Sequence, residues 1–447
     1  MAGVSPRGPL ALADVLDAQR QGRPLAIPSV CSAHPVVLQA AFEQALEEDS
    51  CVLVESTSNQ VNPEGGYTGV TPAGFARFVE GLAKEAGLPS GRVIFGGDHL
   101  GPHPWRAHGV AVAMARAAEM VRQYVRAGCA KVHLDASMAC ADDPHGPLAE
   151  TVAAARTAEL ATAAETAAAE RPAGAPLPLY VVGTEVPPPG GQAGELEGPA
   201  PTPAADAERA LALTREAFAR RGLERAWERV VALVVQPGVE FGDDVVFRYR
   251  GQAAELAALS ASRGLVYEAH STDYQDEEAL RALLRDRFAI LKVGPELTFA
   301  FREAVFALEA IERELLGRTA ERLSGVREAL DEAMRADPRH WRDWYRDDDE
   351  AALRLRRAFS LSDRCRYYWM APAVQDALGR LHANLERRRL PRGLVSQHLP
   401  DASVAGDEPD LSGRLERGHV RRVLGRYARA GRPGPTGVSA EPRFPLR

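Results

Sequence analysis

The chemistry in this 447-residue sequence gathers where imidazoles and carboxylates stand at the ends of short apolar runs. Asp98 and His99 are adjacent, His133 is followed two residues on by Asp135 and Glu268 by His270, and Glu185 and Gln236 close two further runs. Carboxylates and imidazoles drawn from separate segments suit a divalent metal of borderline softness. An aspartate beside a ligand histidine is placed to move a hydroxyl proton while a metal polarises a neighbouring carbonyl oxygen, or to orient that histidine. Asp98, Asp135, Glu185 and Lys292 are therefore the candidate acid–base groups. Ser32, His34, Asn59, Gln60, Ser137, Ser271 and Asp273 are the candidate substrate-binding groups, although hydroxyls and carboxylates just past a strand serve equally well as helix N-caps.

Lysine adds a second signal. It occurs only at Lys84, Lys131 and Lys292 in a chain rich in arginine, as a GC-rich coding sequence favours. A lysine kept against that bias is a candidate for a role arginine cannot fill, and Lys131 and Lys292 lie in apolar runs where the stem is buried and the ammonium acts as a point charge or proton donor.

The elements that must position these groups are legible as alternation. Short β-branched runs at 25–30, 51–55, 93–97, 131–135, 179–185, 230–236, 265–270 and 289–294 are separated by longer helical patterns, which predicts repeated βαβ units and a parallel sheet. Eight strands that each feed a helix close a (β/α)8 barrel, and in that fold the groups at the C-terminal strand ends converge on one mouth. The competing doubly wound sheet is disfavoured by the absence of a Gly-x-Gly-x-x-Gly turn after the first strand and of a Walker loop. Residues 1–310 read as the barrel, and 311–447, helical only, as a C-terminal extension ending in a frayed tail. The Gly/Pro-rich stretch from Pro187 to Ala205 reads as a lid or an insertion.

Composition narrows the partners. A net charge of −7 and a balanced 26% of charged residues give no basic face for nucleic acid or an anionic membrane. No apolar run approaches the roughly 20 residues of a membrane helix, and the start lacks a signal-peptide pattern. Five cysteines without a Cys-x-x-Cys pair fit a reducing cytoplasm. A small-molecule ligand and a homo-oligomeric state are expected.

Longer motifs carry a resemblance. Through Ser29-Val-Cys-Ser-Ala-His-Pro35, Gly96-Gly-Asp-His-Leu-Gly-Pro102, His133-Leu-Asp-Ala-Ser137, Gly183-Thr-Glu-Val-Pro187, Tyr267-Glu-Ala-His-Ser-Thr-Asp273 and Ser360-Leu-Ser-Asp-Arg-Cys-Arg-Tyr-Tyr-Trp369, the chain resembles the Z subunits of tagatose-bisphosphate aldolase over about residues 10 to 430. More distantly it is similar to class II aldolases, which hold zinc with histidines after strands 3, 6 and 7. By position His99 and His270 match the first and third, and Gln236 stands at the second. The resemblance thus implies one divalent ion, zinc foremost and Mn2+, Ni2+ or Co2+ as alternatives, with His99, Glu185, Gln236 and His270 as its ligands.

Two functions follow from the resemblance. One is a non-catalytic subunit that stabilises a class II aldolase catalytic chain acting on tagatose 1,6-bisphosphate. The other is an enzyme, a 4-epimerase of a ketohexose or its phosphate. Carbon 4 is not α to the C2 carbonyl, so enolisation alone cannot invert it. That leaves transient oxidation by a nicotinamide, for which no fingerprint is present, or reversible aldol cleavage of C3–C4. A Schiff base on Lys292 is a further option.

Overall fold

The computed structural model describes residues 12–183, 198–317, 323–347, 349–386, 388–402 and 410–431. All eight apolar runs form strands: β1 (Ile27–Val30), β2 (Val52–Thr57), β3 (Val93–Leu100), β4 (Lys131–Leu134), β5 (Leu179–Val182) and β6 (Val230–Val234), then, beyond a small antiparallel ribbon of β7 (Glu240–Phe241) and β8 (Val246–Phe247), β9 (Val266–Ala269) and β10 (Phe288–Val293). Each barrel strand pairs in parallel with the next, and β10 returns to β1 with Lys292 opposite Ser29, so the sheet closes into the expected (β/α)8 barrel.

Helix α1 (Leu12–Arg20) precedes the barrel, and α2 (Pro35–Glu47), α3 (Pro72–Glu85), α4 (Val110–Arg126), α5 (Glu150–Ala169), α6 (Ala204–Arg220), the single turn α7 (Glu224–Trp227), α8 (Ala254–Arg263), α9 (Glu277–Arg285) and α10 (Pro295–Leu316) follow the strands. Their starts are chemically marked. Thr71 accepts from Gly74 N ahead of Pro72 in α3, and Asp276 accepts from Ala279 N in α9.

The barrel interior changes character along its axis. Leu12, Val15 and Leu16 of α1 pack with Ile27, Leu53, Val181, Val231 and Val266 as an apolar layer, each such side chain contributing about 1.5–3 kcal/mol by burial. The layer toward the strands' C-terminal ends is charged, with Glu55, Lys131 and Glu268 fully buried. The apolar plug lets the fold carry that charge.

The extension comprises α11 (Val326–Ala336), α12 (Glu350–Phe359), α13 (Pro372–Glu386), α14 (Arg392–His398) and α15 (Leu411–Gly431). Helix α10 runs through position 310, where the sequence suggested a boundary, and α15 folds back against α2, α9 and α10. Tyr427 of α15 donates to Thr272 O at 2.8 Å and so pins the loop after β9. Helices α1 and α14 and the ribbon were not anticipated, being too short to show a period. The Pro187–Ala205 stretch falls largely, and the C-terminal tail wholly, outside the described residues. All five cysteines are free, and among the described residues no helix is long and apolar enough to cross a membrane.

Candidate functional site

Adjacent strand residues normally point to opposite faces, yet Asp98 and His99 both reach the mouth. The cause is a register irregularity between Gly97 and Leu100 where β3 meets β4, together with a left-handed backbone at His99 (φ 47°). A positive φ in a non-glycine residue is uncommon and concentrates at functional sites. Gly96, one pleat earlier, leaves room for Glu55, since a Cβ there would lie 2.7 Å from Glu55 Oε1.

Three imidazoles converge. The ring centroids of His99, His133 and His270 are 4.9, 4.7 and 5.3 Å apart in pairs. Each is held from behind: His99 Nδ1 lies 2.7 Å from Asp135 Oδ2, His270 Nε2 lies 2.9 Å from Glu268 Oε1, and His133 Nε2 donates to Gly183 O at 3.1 Å. Gly183 takes φ 109° to present that carbonyl. The front of the group is closed by Asp98, whose Oδ1 lies 2.9 Å from His133 Nδ1. One ligand atom from each of Asp98, His99, His133 and His270 falls within 4.8 Å of the others, so the cluster has the donors to hold a metal ion. A histidine whose far nitrogen is fixed by a carboxylate or carbonyl is the usual arrangement of a metal ligand.

Beneath the imidazoles runs a buried ion network. Lys131 Nζ pairs with Glu55 Oε1 at 2.8 Å and with Glu268, and Lys292 Nζ contacts Asp98 Oδ1 at 2.5 Å, Glu55 Oε2 at 2.8 Å and Glu268 Oε1 at 3.5 Å. Ser29 also donates to Glu55. With Asp135 the interior holds four carboxylates against two ammonium groups and the His99 imidazole, whose protonated form Asp98 and Asp135 favour against its burial, so negative charge remains in excess.

The titration of these groups follows. Burial opposes the charged form of Asp98, but His99 and Lys292 outweigh it and hold the carboxyl well below the usual range. Glu268 is lowered in the same way by Lys131 and Lys292 against its burial. Burial also opposes the Lys292 ammonium, yet Asp98 and Glu55 leave it well above the usual lysine range. His270 is pushed down to about 3, chiefly by burial, so it is a neutral imidazole with a free lone pair.

The sequence candidates divide accordingly. Asp98, His99, His270, Lys292, Asn59, Gln60, Ser271 and Asp273 line one cavity of about 90 Å3 at the mouth. Ser32 and His34 line an adjoining chamber of about 260 Å3. His34 packs its ring 4.3 Å from that of Phe301 and is pushed by burial down to about 3. Asp135 orients His99 and takes Ser137 Oγ at 2.7 Å, and Asp273 caps Gly294 N and Glu296 N at 2.9 and 2.8 Å. Gln236 spends its amide oxygen on Gly238 N and Val239 N at 2.8 and 3.0 Å, which occupies the lone pairs a ligand would need. Glu185 lies outside the described residues.

Some groups at the mouth and in the layer beneath it were not assigned as site residues from the sequence. His133 and Glu268 each stand two residues before a chosen site residue, and the period-2 alternation of a strand puts such pairs on one face. Lys131 was marked only by its rarity, and Glu55 only as a strand-end acid. Arg366 and Tyr367, which reach the mouth from the extension, had no local signal.

Comparisons with known proteins give the family. The profile of the D-tagatose-1,6-bisphosphate aldolase subunit GatZ/KbaZ-like family matches residues 12–432. A relative from Agrobacterium fabrum named D-tagatose 6-phosphate 4-epimerase is 50% identical over 404 residues, 89% of this chain and 94% of its own. One from Klebsiella pneumoniae named D-tagatose-1,6-bisphosphate aldolase subunit GatZ is 48% identical over 388 residues, 87% of this chain and 90% of its own. A crystal structure described as a probable tagatose 6 phosphate kinase from Sinorhizobium meliloti 1021 superposes with a TM-score of 0.81 at 41% identity, covering 91% of this chain and all of that one. A barrel whose mouth gathers three oriented histidines, in a chain alike in sequence to these proteins along nearly its whole length, belongs to the D-tagatose-1,6-bisphosphate aldolase subunit GatZ/KbaZ-like family.

Proposed function

We propose that this chain is itself an enzyme, a metal-dependent 4-epimerase that interconverts D-tagatose 6-phosphate and D-fructose 6-phosphate by reversible aldol cleavage. The observation that carries the reading is the set of three imidazoles, each fixed from behind, facing Asp98 and Lys292 in one cavity. Such a cluster costs stability unless it binds something, which a passive subunit would not require. The Agrobacterium relative's name supports the same substrate.

His99, His133 and His270 would hold the ion, with Glu185 proposed from the sequence as a further carboxylate. Three imidazoles favour zinc, with Mn2+, Co2+ and Ni2+ also compatible. When bound, a divalent ion supplies Lewis-acid stabilisation of the negative charge that develops on the sugar oxygens as C3–C4 breaks. Asp98, kept ionised by Lys292 Nζ at 2.5 Å, accepts the C4 hydroxyl proton as the C3–C4 electron pair moves to the ketose half. The three-carbon aldehyde turns over, C3 adds to its other face, and Asp98 returns the proton to the C4 oxygen. Lys292 stays an ammonium among Asp98, Glu55 and Glu268, which argues against its acting as a Schiff-base nucleophile.

A second reading, a subunit supporting a separate aldolase chain, is favoured by the names of the GatZ relatives. Purifying the chain alone, measuring its metal and assaying tagatose, fructose, their 6-phosphates and 1,6-bisphosphates separates the two. Turnover without a companion supports the enzyme. No turnover with any of the four metals, together with stabilisation of a co-expressed class II aldolase, supports the subunit.

A further inference from the structure

Across from the acidic groups, the mouth carries positive charge that no carboxylate among the described residues touches directly. The 3-10 turn Arg364–Tyr367 of the extension brings Arg366 and Tyr367 to the boundary shared by the two chambers. Arg366 donates from Nη1 to Ser362 O and Asp363 O at 2.6 and 3.0 Å and from Nη2 to Tyr367 Oη at 2.9 Å. Its Nε hydrogen and one Nη2 hydrogen are left to donate. Among the described residues no carboxylate oxygen approaches it within 4.0 Å.

The neighbouring Arg364 is in the same position. It is buried, donates from Nε to His340 O at 2.6 Å and stacks 3.6 Å from the centre of the Trp344 ring, while its Nη1 has no hydrogen-bond partner among the described residues. The buried Arg357, by contrast, has carboxylates in contact, lying 2.7 Å from both Asp331 and Glu350. Leaving two adjacent guanidiniums without a carboxylate, in a chain of net charge −7, is costly unless an anion arrives to pair with them. Their field is felt by Tyr367, where burial disfavours the ionised phenol but Arg364 and Arg366 outweigh it and lower the group below the usual range.

We infer that Arg366 is the anchor for the phosphate monoester of the substrate, holding it at the boundary of the chambers so that the sugar carbons reach inward to Asp98 and the imidazoles. The guanidinium fork matches a phosphate with two parallel hydrogen bonds. The wall that completes the pocket is Tyr67, whose ring stands 4.6 Å from that of Tyr367. This deepens the epimerase reading and rests on it, because it assigns the residue that holds the phosphate group of that substrate.

The test uses the full-length chain and two readouts. Isothermal titration with inorganic phosphate at constant ionic strength is expected to show binding by the native chain, weakened about tenfold to a hundredfold in Arg366→Ala, the span for hydrogen bonds to a charged group. Arg366→Lys is expected to fall between them, since it keeps the charge and loses the fork. In kinetics, the preference for tagatose 6-phosphate over free tagatose should fall by the same factor in Arg366→Ala, mainly through KM. Because Arg366 also ties the Ser362 and Asp363 carbonyls, far-UV circular dichroism checks the fold, and Arg366→Lys decides the matter if the alanine variant is unfolded. Native phosphate affinity and native sugar preference in a folded variant would overturn the assignment. If the native chain turns over no sugar, the epimerase reading fails, while phosphate affinity still decides the role of Arg366.

Discussion

Replacing Lys131 with methionine isolates the buried network from the chemistry, because Lys131 sits beneath the imidazoles and does not line the cavity. Its ammonium bridges Glu55 and Glu268, and all three side chains are fully buried. Removing one partner of a buried pair costs about 3–5 kcal/mol, because it strands charge in the interior. Both carboxylates keep a second cation, since Lys292 stands 2.8 Å from Glu55 and 3.5 Å from Glu268, and His270 is 2.9 Å from Glu268. The expected loss therefore lies near the lower bound, about 3 kcal/mol. Urea unfolding followed in parallel by tryptophan fluorescence and far-UV circular dichroism measures it, with coincident transitions as the condition for a single free energy. The stranded carboxylate acquires a raised folded-state pKa, so the stability it contributes is present at low pH and lost as pH rises. The deficit of the variant should shrink as pH falls from about 8 to about 5. A second change, Glu268→Gln, should recover part of the loss. A cost below about 1 kcal/mol, the value of an exposed pair, would refute the network as a structural charge cluster.

Other consequences follow from the same geometry. Asp98→Asn should lower kcat roughly 10²–10⁴-fold while metal content, measured by mass spectrometry, stays at the native level; joint loss of metal and turnover would make Asp98 a ligand or ligand-orienting group. His133→Ala and His270→Ala should each deplete bound metal with the barrel's circular dichroism intact, and full occupancy in the double variant would remove the metal site. Asp273 is pushed up to about 7, chiefly by burial, so it contributes stability that is present below its unfolded-state pKa and lost as pH rises through about 7. Asp273→Asn, which keeps the oxygen accepting from Gly294 N and Glu296 N, should flatten that loss, at most about 4 kcal/mol; an unchanged stability profile between about pH 4 and 7 would contradict the assignment.

The barrel was legible because its signal is repetition: eight β-branched runs, each followed by an amphipathic or Ala-rich helix. The pairing of Asp98 with His99 was legible as adjacency, but the reason both reach the mouth, the β3 irregularity with φ 47° at His99, is a backbone feature with no side-chain signature. Lys131 and Lys292 stood out by rarity, whereas their partners Glu55 and Glu268 looked like ordinary strand-end acids until register placed all four in one layer. Gln236 shows the limit of transfer by position. It matches by position the second zinc histidine of class II aldolases, yet its amide oxygen closes its own turn, while His133 of β4 brings a third imidazole to the mouth. Arg366 was beyond reach of local reading, since nothing in residues 360–369 tells that this turn folds back over a mouth built from residues 31 to 295.

The central claim is that this chain alone epimerises a ketohexose phosphate at C4 by breaking and remaking C3–C4. Proton NMR of tagatose 6-phosphate incubated in D2O with the purified, metal-loaded chain tests it directly. In an aldol route the C4 hydrogen travels as the aldehyde hydrogen and never exchanges, so fructose 6-phosphate should appear with its C4 proton fully retained, and chelation should stop its formation. Deuterium at C4 would contradict the aldol route, and absence of fructose 6-phosphate with Zn2+, Mn2+, Co2+ and Ni2+ alike would contradict the enzyme itself.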